Sequence, residues 1–287
     1  LQSTPAKPGR GHLLLLISPL LAVLIAFLVL PLVWLFRASF YAGEGFVERS
    51  GFSLAHYQHF LFDGYYLSVL VETLLYGVVT AIVCAVIGFP VGYSLARLPP
   101  QRRRWRMIIV ILPLTLSLVV VVFGWVAILG RSGLVNSILV ASGLFDSPHT
   151  LLFNKTAVII VLVQQTIPFM ILSVMSVVAQ IDPVLEHAAA NLRANRFVTF
   201  ARVIIPLAAP GLMAGFVLVF VIAISAFITP MLVGGSRIRM IGSFIYEQMM
   251  SSMNWSFGAA MAFIILGAGL LFTALLNALA ARRFVRR

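Results

Sequence analysis

The stretch Asp182-Pro183-Val184-Leu185-Glu186-His187-Ala188-Ala189-Ala190-Asn191-Leu192-Arg193-Ala194-Asn195-Arg196-Phe197-Val198-Thr199-Phe200 is polar and punctuated in a chain that is mostly apolar. Asp182 before Pro183 suits a helix start, where a carboxylate caps free backbone N–H groups and proline is tolerated in the first turn. Leu185, Ala188, Ala189 and Leu192 then recur at i, i+3, i+4 and i+7, the spacing of one helical face. The polar segment 191–196 interrupts it. A second face follows at Phe197, Phe200, Ala201 and Ile204, and Pro206 and Pro210 are expected to end that helix. The loop 179–210 therefore reads as helix, turn, helix, with small residues on the first arm and aromatics on the second. Either this hairpin offers a close-packing face and two phenylalanine anchors to a partner, or it covers the protein's own end.

Around that loop, the composition leaves few options. Of 287 residues, 61% are hydrophobic and 10% charged, whereas a soluble domain has about 45–50% apolar and about 25% charged residues. Such a chain cannot cover itself with polar surface in water, which excludes a soluble enzyme and a disordered chain. Six apolar runs reach or approach the about 20 residues that a membrane-spanning helix needs. They lie at 13–36, 67–95, 107–129, 157–178, 211–228 and 257–279. The expectation is one all-α transmembrane domain over 13–281, between a polar tail at 1–12 and a basic tail at 282–287. The first run is longer than the apolar core of a cleaved secretion signal, so it is expected to stay as a span. Cys84 is the single cysteine, which rules out an intrachain disulfide.

The net charge of +12 points to orientation rather than to nucleic acid. Lys7, Arg10, Arg97, Arg102, Arg103, Arg104, Arg106, Arg193, Arg196, Arg202, Arg282, Arg283, Arg286 and Arg287 fall on one side of the predicted spans. Only Arg37, Arg49, Arg131, Lys155, Arg237 and Arg239 fall on the other. Basic residues concentrate on the cytoplasmic side, so both termini and the hairpin are expected there. On the outer side, the segment 53–66 carries Tyr57, Phe60, Phe62, Tyr65 and Tyr66, expected as an interfacial aromatic belt. Short helices are expected at 134–144, with Asn136 and Ser137 on its polar face, and at 240–250.

The run 185–194, continued by Phe200, Val203, Ile205-Pro206 and Pro210-Gly211, resembles the EAA loop of permease subunits of binding-protein-dependent ABC importers with the type I (MetI-like) fold. The resemblance implies that the hairpin contains a coupling helix docking in a cleft of an ATPase subunit. The coupling surface would comprise Glu186, His187, Ala188, Ala189, Leu192, Arg193, Ala194, Phe197 and Phe200. Two positions depart from the family pattern. His187 stands where glutamate is usual, with Glu186 just before it, and Arg193 stands where glycine is usual. Glycine tolerates positive φ at such a turn; arginine either forces a different turn or occupies helical space. Further local matches resemble the spermidine/putrescine permease subgroup: Phe52-Ser53-Leu54-x-x-Tyr57, Gly88-x-Pro90-x-x-Tyr93, Ser225-Ala226-Phe227-x-Thr229-Pro230 and Asn254-Trp255-x-Phe257-Gly258. The implied assembly has two ATPase subunits, a second and different permease chain, and a periplasmic or extracellular substrate-binding protein, in a bacterial inner membrane. The implied substrate is a polyamine or related small amine; amino-acid-like compounds, phosphonates and ferric iron are the alternatives.

Catalytic chemistry is missing from the sequence. Lys155-Thr156 follows Phe153-Asn154 without the glycine turn of a phosphate-binding loop, so ATP and Mg2+ are expected on the partner ATPase. His12, His56, His59, His149 and His187 lie outside the spans or at their edges, and no cluster has metal-ligand spacing. Within the spans, Glu72 is the sole carboxylate. It is either a cation-attracting group on the translocation path or a residue one turn below the interface, reaching outward or paired with an arginine. Gln164 and Gln165, just before Pro168, with Phe227 and Thr229, complete the candidate path. Two other classes stay open: a secondary transporter, which needs ion-coupling carboxylates near the midplane, and an accessory protein, which needs no path.

Overall fold

In hydrocarbon every backbone N–H and C=O must find a partner within the protein, and an apolar run of this length does so as a helix. The computed structural model describes residues 18–20, 22–41 and 51–284, with side chains as far as 279. The tail 1–12, and Lys7, Arg10, His12, Arg49, Arg286 and Arg287 of the sequence reading, lie outside the described residues. In chain order the helices are α1 (Ser18–Ala38), α2 (Ala55–Phe62), α3 (Gly64–Ala96), α4 (Pro100–Thr115), α5 (Leu118–Leu129), α6 (Leu134–Ala141), α7 (Lys155–Val178), α8 (Val184–Asn191), α9 (Arg196–Ile224), α10 (Ile241–Tyr246) and α11 (Trp255–Phe284). Six stretches are long and apolar enough to cross a membrane: α1, α3, α5 with α6, α7, α9 and α11. Among the described residues the only β-pairing is a single bridge between Tyr41 and Phe52.

The core is a three-helix unit of α3, α7 and α9. Ala81, Cys84 and Phe89 of α3 meet Met170, Val174 and Val178 of α7 and Ile204, Ala208, Val219 and Phe220 of α9. Without water to drive association, helices in lipid gain by close backbone approach at small residues. Gly92 shows it most directly: a Cβ there would stand 2.8 Å from the Ile171 carbonyl oxygen. At the end of α3 away from Arg97, α10 is fastened to it by Thr73, whose buried hydroxyl accepts the Ile241 N–H at 3.0 Å and donates to the Val69 carbonyl at 2.7 Å.

Several expectations need correction. The run 107–129 is not one helix, because Leu116 and Ser117 are extended between α4 and α5. Pro113 removes a bond from the last turn of α4, and the chain leaves the helix shortly after. Conversely, Pro206 and Pro210 do not end the second arm of the hairpin, which continues as α9. A widened turn over Phe200–Ile204, where the Ile205 N–H bonds the Phe200 carbonyl five residues back, carries the chain past Pro206 without a clash. The helix that carries the fifth span therefore starts at Arg196 and stops at Ile224, with Ala226 and Phe227 outside any helix.

The segments expected on the outer side also differ. Phe60 is fully buried and Tyr66 packs on Phe60, Phe244 and Phe257, leaving Phe62 and Tyr65 exposed as the belt. Asn136, read as part of a polar face, is buried in α6. It donates to the Gly130 and His149 carbonyls and accepts the His149 N–H, each at about 3 Å, pinning the loop that follows.

Candidate functional site

The hairpin is built by local capping. Asp182 accepts the Val184 N–H at 2.9 Å, opening α8, and Asn195 accepts the Val198 N–H at 2.8 Å, opening α9. Between them Arg193 sits in the left-handed region at φ 59°. The Ala194 N–H reaches the Ala189 carbonyl at 3.1 Å, and the Arg193 N–H reaches the Ala190 carbonyl at 2.9 Å. These two bonds are the helix stop that glycine ordinarily serves. Arginine keeps the glycine turn; it neither changes it nor continues the helix.

The hairpin has an outward and an inward face. Leu192 is 85% exposed and Phe197 78%, and His187, Ala188 and Arg193 are exposed with them, while Ala189 and Ala194 are partly covered. Phe200 turns inward, edge-on to Phe89 at 5.2 Å and to Tyr93 at 5.4 Å. Glu186 also turns inward. Its Oε1 accepts from Arg97 Nε at 2.8 Å and its Oε2 from Tyr93 Oη at 2.6 Å. Arg97 Nη1 donates to the Ile181 carbonyl at 2.8 Å. The sequence reading missed Arg97 and Tyr93 as hairpin partners. Tyr93 belongs to the motif Gly88-x-Pro90-x-x-Tyr93, but nothing local links it to a residue 93 positions away.

A second site opens inside the membrane region, where helices are interrupted. The break between α4 and α5 and the end of α9 border a cleft of about 500 Å3, lined by residues that include Leu116, Gln164, Gln165, Phe169, Ser225 and Phe227. Irregular backbone at this depth is tolerated where it lines a cavity. Gln164 Oε1 accepts from Trp125 Nε1 at 3.2 Å, and Gln165 Nε2 donates to Thr229 Oγ1 at 3.0 Å, with Thr229 buried behind the cleft. Phe227 stacks on Tyr246 of α10 at 5.3 Å between centroids. Glu72 does not line the cleft. It pairs with Lys155 at 2.9 Å, the two side chains 43% and 62% exposed. No carboxylate is among the cleft residues. Among the described residues no group of three His, Cys, Asp or Glu is placed to hold a metal ion.

A hairpin fastened to a three-helix core, with a cleft at broken helices, can be set against known proteins. Residues 88–285 match the family described as the binding-protein-dependent transport system inner membrane component. The chain belongs to this family. The matched region contains the whole hairpin, both of its α3 partners and the whole cleft.

The chain is 34% identical over 239 residues to the spermidine/putrescine transport system permease protein PotB of Escherichia coli, covering 83% of this chain and 86% of that one. It is 32% identical over 244 residues to PotB of Haemophilus influenzae, covering 83% and 84%. In shape it is similar to a chain of the bacterial alginate ABC transporter in complex with an alginate pentasaccharide-bound periplasmic protein, at a TM-score of 0.76 and 17% identity over 96% of this chain and 95% of that one. It also resembles a chain of the inward-facing MetNI methionine ABC transporter, at a TM-score of 0.53 and 17% identity over 78% and 98%. At those identities the structural likenesses concern the fold. As a member of this family, the chain is an ABC importer permease subunit and a multi-pass inner-membrane protein.

Proposed function

We infer that this permease subunit serves an importer of polyamines or related small amines. The observation that carries the substrate class is the 34% identity, across most of both chains, to a relative named for spermidine and putrescine. The cleft fits such a ligand in kind. Phe169 and Phe227 offer aromatic faces that attract ammonium groups, and Gln164 and Gln165 supply amide oxygens that accept their hydrogen bonds. Gln164, Gln165 and Phe227 make up this chain's share of the path, Thr229 holds Gln165 from behind, and Glu72 stands apart at its bond with Lys155. Because no carboxylate lines the cleft, the acids that neutralise a polyamine come from a second, different permease chain.

The driving force comes from two ATPase subunits, which hold ATP and Mg2+. Leu192 and Phe197 are the anchors that enter the ATPase, flanked by His187, Ala188 and Arg193. Phe200 and Glu186 hold the hairpin from behind. The basic side faces the cytoplasm with both termini, and the α10 side meets the binding protein. A second reading, ferric iron, draws on 31% identity over 80% of this chain to the putative ferric transport system permease protein FbpB 1 of Haemophilus influenzae, of which the chain covers 36%. The amine reading is preferred because the chain covers 86% of PotB of Escherichia coli and because the aromatic lining of the cleft, Phe169 and Phe227, suits an organic cation.

The test is purification of the chain with its ATPase, second permease and binding protein into liposomes. ATP hydrolysis stimulated by binding protein loaded with putrescine or spermidine, with uptake of the labelled amine, is the expected result. Uptake of ferric iron instead would overturn the substrate class, and proton- or sodium-driven uptake by the chain alone would overturn the assembly.

A further inference from the structure

We propose that Tyr93, Arg97 and Glu186 form a clasp that fixes the coupling hairpin to α3, so that movement of the hairpin tip is delivered to the second span as well as to the fifth. These are positioning residues. The proposal rests on the importer reading above and assigns a role to a contact between segments 89 and 93 residues apart in sequence.

The geometry is specific. Arg97 caps the C-terminal end of α3 and Tyr93 lies one turn earlier. Both oxygens of Glu186 are engaged by these two residues of a single helix end, and the same guanidinium also holds the Ile181 carbonyl, just ahead of α8. Arg97 in addition lies over the Tyr93 ring, 5.9 Å from its centroid. A two-pronged attachment fixes direction as well as distance, which a single contact between mobile side chains does not. The Arg97 and Glu186 side chains are 20% and 22% exposed, so the pair is only partly screened by solvent. The other two ion pairs among the described residues, Lys155 with Glu72 and Arg239 with Glu247, are more exposed and each rests on one contact.

The second arm reaches the same helix. Phe200 packs edge-on against Phe89 and Tyr93, so α8 and the start of α9 are both tied to the last turns of α3. The tip carrying Leu192 and Phe197 projects into solvent from this base. Behind the base, α3 is locked to α7 by Gly88 against Met170 and by Gly92 against Ile171 and Val174. A push on the tip is thus received by α3, α7 and α9 together. Without the clasp, the hairpin keeps the packing of Phe200 on Phe89 but loses its polar attachment to α3.

The test uses the complete importer in liposomes and reads amine taken up per ATP hydrolysed. Arg97→Glu lowers that ratio by about tenfold, the scale of one coupling free energy between two sites. Tyr93→Phe, which keeps the ring and removes the hydroxyl, lowers it less. The double exchange Arg97→Glu with Glu186→Arg restores it at least in part, which a merely misfolded hairpin would not allow. ATPase co-purification and amide exchange over residues 184–195 are followed in each variant to identify loss of assembly. A wild-type ratio in both single variants, or a double exchange no better than Arg97→Glu alone, overturns the clasp while leaving the importer reading intact. Failure of the wild-type chain to recruit an ATPase overturns both.

Discussion

At the scale of single residues, Arg193 is the most informative position. An L-residue in the left-handed region costs roughly 1–2 kcal/mol, and glycine returns part of that advantage through its freedom in the unfolded chain. Arg193→Gly is therefore expected to stabilise the hairpin by about 0.5–1 kcal/mol, read as slower exchange of the Ala194 N–H that bonds Ala189. If the guanidinium also meets the ATPase, Arg193→Gly weakens that association despite the firmer turn. Arg193→Asn, uncharged and tolerant of positive φ, weakens it equally. In the cleft, Gln165→Leu removes the bond to Thr229 and a hydrogen-bonding group from the path. Uptake kcat/KM should fall by about three- to tenfold, one hydrogen bond's worth. Glu72→Gln should leave KM unchanged, because Glu72 is occupied by Lys155 away from the cleft; a raised KM would return it to the path.

At the scale of elements, the hairpin and the outer loop were legible to different degrees. The i, i+3, i+4 spacing placed both arms of the hairpin correctly, and Asp182 opened α8 as its chemistry suggested. Periodicity gives a face but not the body that the face meets, which is why Phe197 and Phe200 looked equivalent although one is exposed and one packed on Phe89. The prolines misled for a related reason. A proline's missing N–H forfeits one bond, and a widened turn absorbs the rest, so Pro206 lies within a continuous α9. Asn136 shows how a polar letter in an amphipathic pattern can be a buried staple. Asn136→Leu would leave the Gly130 and His149 carbonyls and the His149 N–H without this partner. It should cost about 1–3 kcal/mol and make the segment 142–150 more susceptible to protease added from outside.

At the scale of the whole molecule, the apolar runs announced six stretches able to cross a membrane, and the charge asymmetry assigns each loop an expected side. What no local pattern could announce is the cleft, since it depends on a break at Leu116 meeting Gln164 and Phe227 from distant segments. The orientation can be tested because Cys84 is the sole cysteine and is fully buried in the core. In a Cys84→Ala background, a Ser142→Cys chain should react with a membrane-impermeant thiol reagent in intact cells. An Asn195→Cys chain should react only after permeabilisation. The reverse pattern would invert the topology.

The bare hairpin tip has a cost for a subunit made in surplus. On the docking proposed above, a copy without its ATPase leaves Leu192 and Phe197 bare, a greasy knob on a short stalk. Chaperones and proteases that patrol for misplaced apolar groups would meet that knob first. Supply of the ATPase would then govern how many copies of this chain persist in the membrane, and turnover would keep the subunits in proportion even when their synthesis is not.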